Sequence, residues 1–96
     1  MRRAAKKDEN HNTIADHLRK LGWSVLDLSR LGGGCPDMVV GRTDPGYCAL
    51  VEVKRPGEKL TEDQVDVKAK WDAPYFIAYT PEQIAADLYI AWKGIE

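Results

Sequence analysis

The sequence predicts an α/β sandwich, with helices laid on a small mixed sheet, and three observations predict it. Segments of helical period open and close the chain and recur once between. Short runs rich in β-branched and aromatic residues occupy the intervals. The resulting order is one helix, three strands, a helix, a strand and a helix; such a string buries its apolar surfaces only as helices packed on a sheet. With 96 residues the chain supports one core, so any site must lie on that sheet or at its edges.

"MRRAAKK", residues 1–7, is small and basic and is read as a flexible arm, leaving residues 8–96 as a single domain. From Asp8, the residues Ile14, Leu18 and Leu21 fall at helical spacing and Gly22 supplies a stop, which predicts a helix over 8–21. "WSVLDLS" alternates in the manner of a strand. "RLGGGCP" has three glycines and a proline and is a loop. "DMVVG" is a short strand, "RTDPG" a turn, and "YCALVEVK" the strongest strand, apolar on both faces as if covered on both sides. Thr61 caps a second helix reaching Trp71, with Gln64 completing a capping box. "APYFIAYT" is a further strand. Thr80 and Pro81 open a third helix that places Ile84, Leu88 and Ala91 on one face.

The formal charge of −1 excludes a protein that grips nucleic acid by bulk positive charge. The distribution says more: residues 1–30 carry seven Lys or Arg against four Asp or Glu, whereas residues 61–96 carry three against seven. A polyanion would therefore meet one face. Cys35 and Cys48 are too few for a structural zinc site and read as reduced thiols. With no apolar run of membrane-spanning length and no secretory leader, a cytoplasmic protein is expected, with no membrane partner. Trp23, Trp71 and Trp92 read as core or interface residues, and His11 and His17 as solvated.

The chemistry concentrates in residues 32–56. On a strand, Leu50, Glu52 and Lys54 share one face, so the apolar run ends with two neighbouring charges. A buried carboxylate requires something positive beside it. Asp37 begins the preceding strand, and if the two strands pair at the usual spacing of about 4.8 Å, Asp37 and Glu52 reach the same point. Two carboxylates with a backbone carbonyl form an oxygen site suited to Mg²⁺ or Mn²⁺. Such an ion polarises a phosphoryl group and lowers the pKa of water, with Lys54 beside the attacking water or the scissile phosphate.

Pro36-Asp37 and, after fourteen intervening residues, Glu52-Val53-Lys54 resemble the PD-(D/E)xK phosphodiesterase signature. "GGGCPDMVVG", "LVEVK" and "LTEDQ" in this order are similar to the VRR-NUC domain, here standing alone as phage and bacterial members do. The resemblance implies a restriction-endonuclease-like αβββαβα sandwich and a metal-dependent endonuclease without a nucleotide cofactor, in a bacterial or phage-infected cell. It further implies that Asp37, Glu52 and the Val53 carbonyl hold the metal, that Lys54 is the catalytic lysine, and that Gln64 points back to the centre. Members often carry a first-helix glutamate near the metal; Thr13 occupies that place here, and Glu9, one turn earlier, is the candidate substitute. Stand-alone members act as homodimers on four-way (Holliday) junctions, which makes junction DNA the expected partner.

Arg30, Arg42, Arg55 and Lys59 flank the proposed centre, and with Lys20 they would grip phosphates without reading sequence. Gly33 and Gly34 would let a DNA strand approach closely. The alternatives are a flap or repair nuclease and a binding module on a degenerate nuclease fold.

Overall fold

The computed structural model describes residues 2–95, with side chains from Glu9 onward. Among them, three helices pack with one four-stranded sheet in the order α1 (Arg2–Lys20), β1 (Ser24–Asp27), β2 (Met38–Arg42), β3 (Tyr47–Val53), α2 (Glu62–Lys70), β4 (Tyr75–Ala78) and α3 (Pro81–Lys93). This is the αβββαβα sandwich that the sequence predicts. The backbone of α1 begins ahead of the expected start, since arginine, alanine and lysine all favour helix and nothing breaks it before Gly22. The basic stretch expected to be an arm lies among residues whose side chains fall outside the description.

The strands stand in chain order across the sheet. β1 pairs antiparallel with β2 and β2 with β3, and β4 joins β3 in parallel after the α2 crossover. Because residues opposite one another share a face, the register divides the sheet in two. Met38, Val40, Val51, Val53 and Ala78 face α1 and α3, where they meet Ile14, Leu18, Ile84 and Leu88, all essentially removed from water. Each of these valine, leucine, isoleucine and methionine side chains contributes about 1.5–3 kcal/mol through burial, and the single methyl of Ala78 less. Leu21 falls past the end of α1 and is 49% exposed, and Trp92 rather than Ala91 completes the buried stripe of α3.

The opposite face carries Val39, Leu50, Glu52, Lys54, Tyr75 and Ile77, and its cover is thinner than the apolar run of β3 suggests. α2 is the helix on this side, and each of its side chains keeps a half-buried or exposed position. Leu26 and Cys48 stay exposed. One sheet face is thus a dry core, and the other is a partly open platform.

An aromatic cluster closes the end of the molecule where β2 finishes. Trp23 packs edge-on to Tyr47 and Trp92, with ring centroids 6.3 and 6.1 Å apart. The Arg42 guanidinium lies over both indoles, 5.0 Å from the Trp23 ring and 4.0 Å from the Trp92 ring, and donates to the Leu21 carbonyl at 3.1 Å. Trp71, by contrast, is 44% exposed and donates its indole N–H to the Pro74 carbonyl. Arg42→Ala is expected to lower the free energy of unfolding by about 1–2 kcal/mol, through lost cation–π contact and stem packing; urea titration of both proteins measures the difference.

Candidate active site

Asp37 stands just before β2 but continues its pairing on both sides. The Leu28 N–H donates to the Asp37 carbonyl at 2.8 Å, extending the β1 ladder. Following the pairing of Met38 with Val51, Asp37 stands opposite Glu52 and on the same sheet face. The Asp37 side chain caps this end: its Oδ2 accepts the Val53 N–H at 2.8 Å. A strand residue turns its N–H and C=O to the same side, so the Val53 carbonyl also faces Asp37. The three oxygen donors expected for a metal therefore belong to one corner where β2 begins and β3 ends.

Glu52 and Lys54 are 1% and 4% exposed. Lys54 Nζ lies 4.0 Å from Glu52 Oε2 and 3.6 Å from Glu58 Oε2. At an effective dielectric near 20, the attraction across 4 Å is about 4 kcal/mol, comparable with the several kcal/mol needed to dehydrate each ion. The pair therefore adds little net stability. Its effect is to fix two opposite charges in place, beside water but mostly out of it.

Gln64 serves two purposes, because a primary amide has two ends. Its Oε1 accepts the Thr61 N–H at 2.9 Å, and the Thr61 hydroxyl accepts the Gln64 N–H in return, forming the capping box that starts α2. Its Nε2 donates to Glu52 Oε2 at 2.9 Å. The helix cap and the contact with the acidic centre are one arrangement, and the orientation of Glu52 is tied to the N-terminus of α2.

The glycine loop holds the other side of that N-terminus. A Cβ on Gly34 would stand 2.5 Å from the Asp63 carbonyl oxygen, and Gly34 has φ +84°. Gly34 therefore lets the loop lie against α2 rather than lying open to a DNA strand. Gly33, at φ +63°, has no described atom within 4 Å of such a Cβ and stays open.

His11, Cys35 and Tyr75 join this corner unannounced by the sequence patterns. His11, expected to be solvated, is 5% exposed; its Nε2 lies 3.3 Å from the Asp37 carbonyl oxygen and 3.6 Å from Asp27 Oδ1. Its position on α1 braces Asp37, whereas Glu9 is exposed and Thr13 is bonded to the Glu9 carbonyl. Hydrogen bonds from Ser29, with His11 and Arg30 nearby, hold the Asp27 carboxyl below its ordinary pKa. Burial, reinforced by the charges of Glu52 and Asp37, pushes the Cys35 thiol up, which keeps it protonated. The same causes in the same order push the Tyr75 hydroxyl up to about 12. That hydroxyl oxygen is buried and finds no hydrogen-bond partner among the described residues. Only three-dimensional proximity could have revealed these three.

The remaining basic candidates scatter. Arg30, Arg55 and Lys59 are exposed in loops: Arg30 lies near Asp27, Arg55 follows Lys54 in the chain, and Lys59 lines a cavity with Lys54. Lys20 ends α1, about 14 Å beyond His11 along the helix axis. Arg42 lies at the far end of β2, about 17 Å from Asp37 along the strand, with its guanidinium committed to Trp23 and Trp92. It braces the fold and does not join the carboxylates. Among the described residues no group of three or more His, Cys, Asp or Glu gathers as a metal site. Asp37 and Glu52, with the Val53 carbonyl, suit an ion that keeps several waters.

Two outcomes follow from this geometry. Gly34→Ala should destabilise the protein by about 2–4 kcal/mol, from both clash and left-handed strain, and Gly33→Ala by roughly 1–2 kcal/mol from strain alone; urea titrations of the two variants rank them. For Tyr75, the folded-state pKa lies above the unfolded value, so the neutral phenol favours the fold. Its contribution is complete below pH 10 and is lost as pH rises toward 12. Subtracting the Tyr75→Phe ultraviolet titration from that of the parent should leave a phenolate step near pH 12.

Comparison with known proteins agrees with the geometry. The family model of the VRR-NUC domain matches residues 1–69, which takes in α1 through most of α2 and all of Asp37, Glu52, Lys54 and Gln64. No curated protein and no solved structure matches the chain. A match over more than half the chain, on a four-stranded sheet that sets Asp37 opposite Glu52, places it: this chain belongs to the VRR-NUC domain family and is a nuclease-type domain whose substrate is DNA.

Proposed function

We propose that the protein is a Mg²⁺- or Mn²⁺-dependent endonuclease that cuts branched DNA, with four-way junctions as its substrate and a homodimer as its working form. The observation that carries this reading is the convergence of Asp37, Glu52, Lys54 and Gln64 on one partly covered corner of the sheet. Asp37 and Glu52, with the Val53 carbonyl, hold the cation. When bound, it supplies positive charge to the phosphoryl oxygens and makes water a better nucleophile.

The chain's own groups do the rest. Lys54 Nζ, held between Glu52 and Glu58, donates hydrogen bonds to the attacking water or to a non-bridging phosphoryl oxygen. The water oxygen forms the new P–O bond and gives up its proton to solvent. The leaving sugar oxygen departs with its bonding electrons and is protonated. Gln64 keeps Glu52 from rotating away, and His11 holds the Asp37 backbone. Arg30, Arg55 and Lys59 position neighbouring phosphates, and such contacts weaken as salt rises. Two copies would be needed for paired incisions; exposed Tyr89 and Ile90 on α3 support a face for self-association.

Labelled junction, flap, nicked and linear duplex DNA, incubated with Mn²⁺, test the substrate. Paired cuts at the junction and little cutting of the linear duplex are expected, and equal cutting of all four would sink junction selectivity. Asp37→Asn, Glu52→Gln and Lys54→Met should each slow cleavage by about a hundredfold or more while retaining the fold. Calorimetry should find a Mn²⁺ site that disappears in Asp37→Ala; a site unaffected by that change would place the ion elsewhere.

A further inference from the structure

Beside Lys54, on the side away from Asp37, the platform opens into a cavity of about 440 Å³, a volume typical of small-molecule sites. Ile77 of β4 and Tyr79 just past it, with Leu60 ahead of the α2 cap and Val65 in the first turn of α2, give it a mostly apolar lining. Tyr79 is 37% and Val65 51% exposed, so both offer surface to a ligand. Lys59 and Lys68 outnumber Glu58 at its rim, and Lys54, held between Glu52 and Glu58, forms part of its wall. Lys54 is itself nearly buried.

Its place in the register matters most. Glu52 pairs with Ile77 across the parallel ladder, and the Lys54 N–H donates to the Ala78 carbonyl, which sets Lys54 beside Tyr79. The cavity is therefore one strand spacing, about 4.8 Å, from the groups that would act on a phosphate. A flat apolar ring attached to a neighbouring anion fits such a place: the ring against Tyr79, Ile77 and Val65, the anion against the lysines. A paired, stacked base could not enter without being extracted, and the cost of extraction offsets what a single aromatic contact returns. A base already unpaired has no such cost.

We propose that this cavity receives one unpaired nucleobase of the DNA, next to the phosphate being cut, and thereby selects DNA with a break in pairing. The proposal rests on the nuclease reading above and adds to it a means of choosing the cutting position. Tyr79 and Val65 are selectivity residues here and touch no reacting atom.

The test uses the full chain with Ca²⁺ and two duplexes that differ by one unpaired 2-aminopurine. The parent protein should change the probe's emission and bind the unpaired form more tightly than the matched one. Tyr79→Ala and Val65→Gln should each lose about tenfold on the unpaired form and keep their affinity for the matched duplex; Tyr79→Trp should restore the preference. An abasic nucleotide in place of 2-aminopurine should lower the parent's affinity by the same factor. Variants that retain the parent's preference overturn the proposal, as does a fall in solution mass on Val65→Gln, which would make the surface a contact between copies. Cleavage that persists alongside either result leaves the nuclease reading standing, whereas a parent that binds neither duplex defeats both.

Discussion

The site depends on one alignment: the β2–β3 register continues one residue past the formal start of β2. That extension sets Asp37 opposite Glu52, and the Val53 N–H fixes it by binding the Asp37 carboxylate. Since side chains alternate along a strand, a slip of one residue would move Asp37 to the helix-packed face and would expose Met38 and Val40 to water. The apolar pattern that buries Met38, Val40 and Val51 therefore enforces the pairing of the two acids. Core packing and site geometry are the same constraint seen from opposite sides of the sheet.

The two faces differ in what their packing achieves. Against α1 and α3 the sheet is sealed by aliphatic contacts and by the Trp23–Arg42–Trp92 cluster. Against α2 it is covered lightly, and the helix is located by a few specific contacts: its capping box, the Gln64 bond to Glu52 and the Gly34 approach to Asp63. Segments with few buried apolar contacts sit at the low-stability end of a protein. A rigid floor and a lightly held cover suit a site that must admit a large polyanion and then hold two charged side chains still.

Net charge is a poor guide to such a protein. A chain of formal charge −1 still sets Lys54 beside Glu52 and gathers Lys59 and Lys68 at the adjoining cavity. Local arrangement decides what a polyanion meets at contact distance, since salt screens fields beyond about 10 Å.

The sequence by itself determined the element order, the mixed sheet, the buried pairs Ile14–Leu18 and Ile84–Leu88 of α1 and α3, and Asp37, Glu52 and Lys54 as the groups to examine. These are legible because periodicity and strand alternation are local, and because strand ends deliver charges in predictable directions. Gln64 was legible as a cap or as a site residue; only the fold showed that its two amide ends satisfy both. Tertiary structure alone decided that His11 braces Asp37, that Tyr75 and Cys35 share the field of the two acids, that Gly34 packs on α2, and that Arg42 belongs to the tryptophans. Each is a contact between segments far apart in the chain, set by how strands and helices stack, and no local pattern of residue types encodes the distance between them.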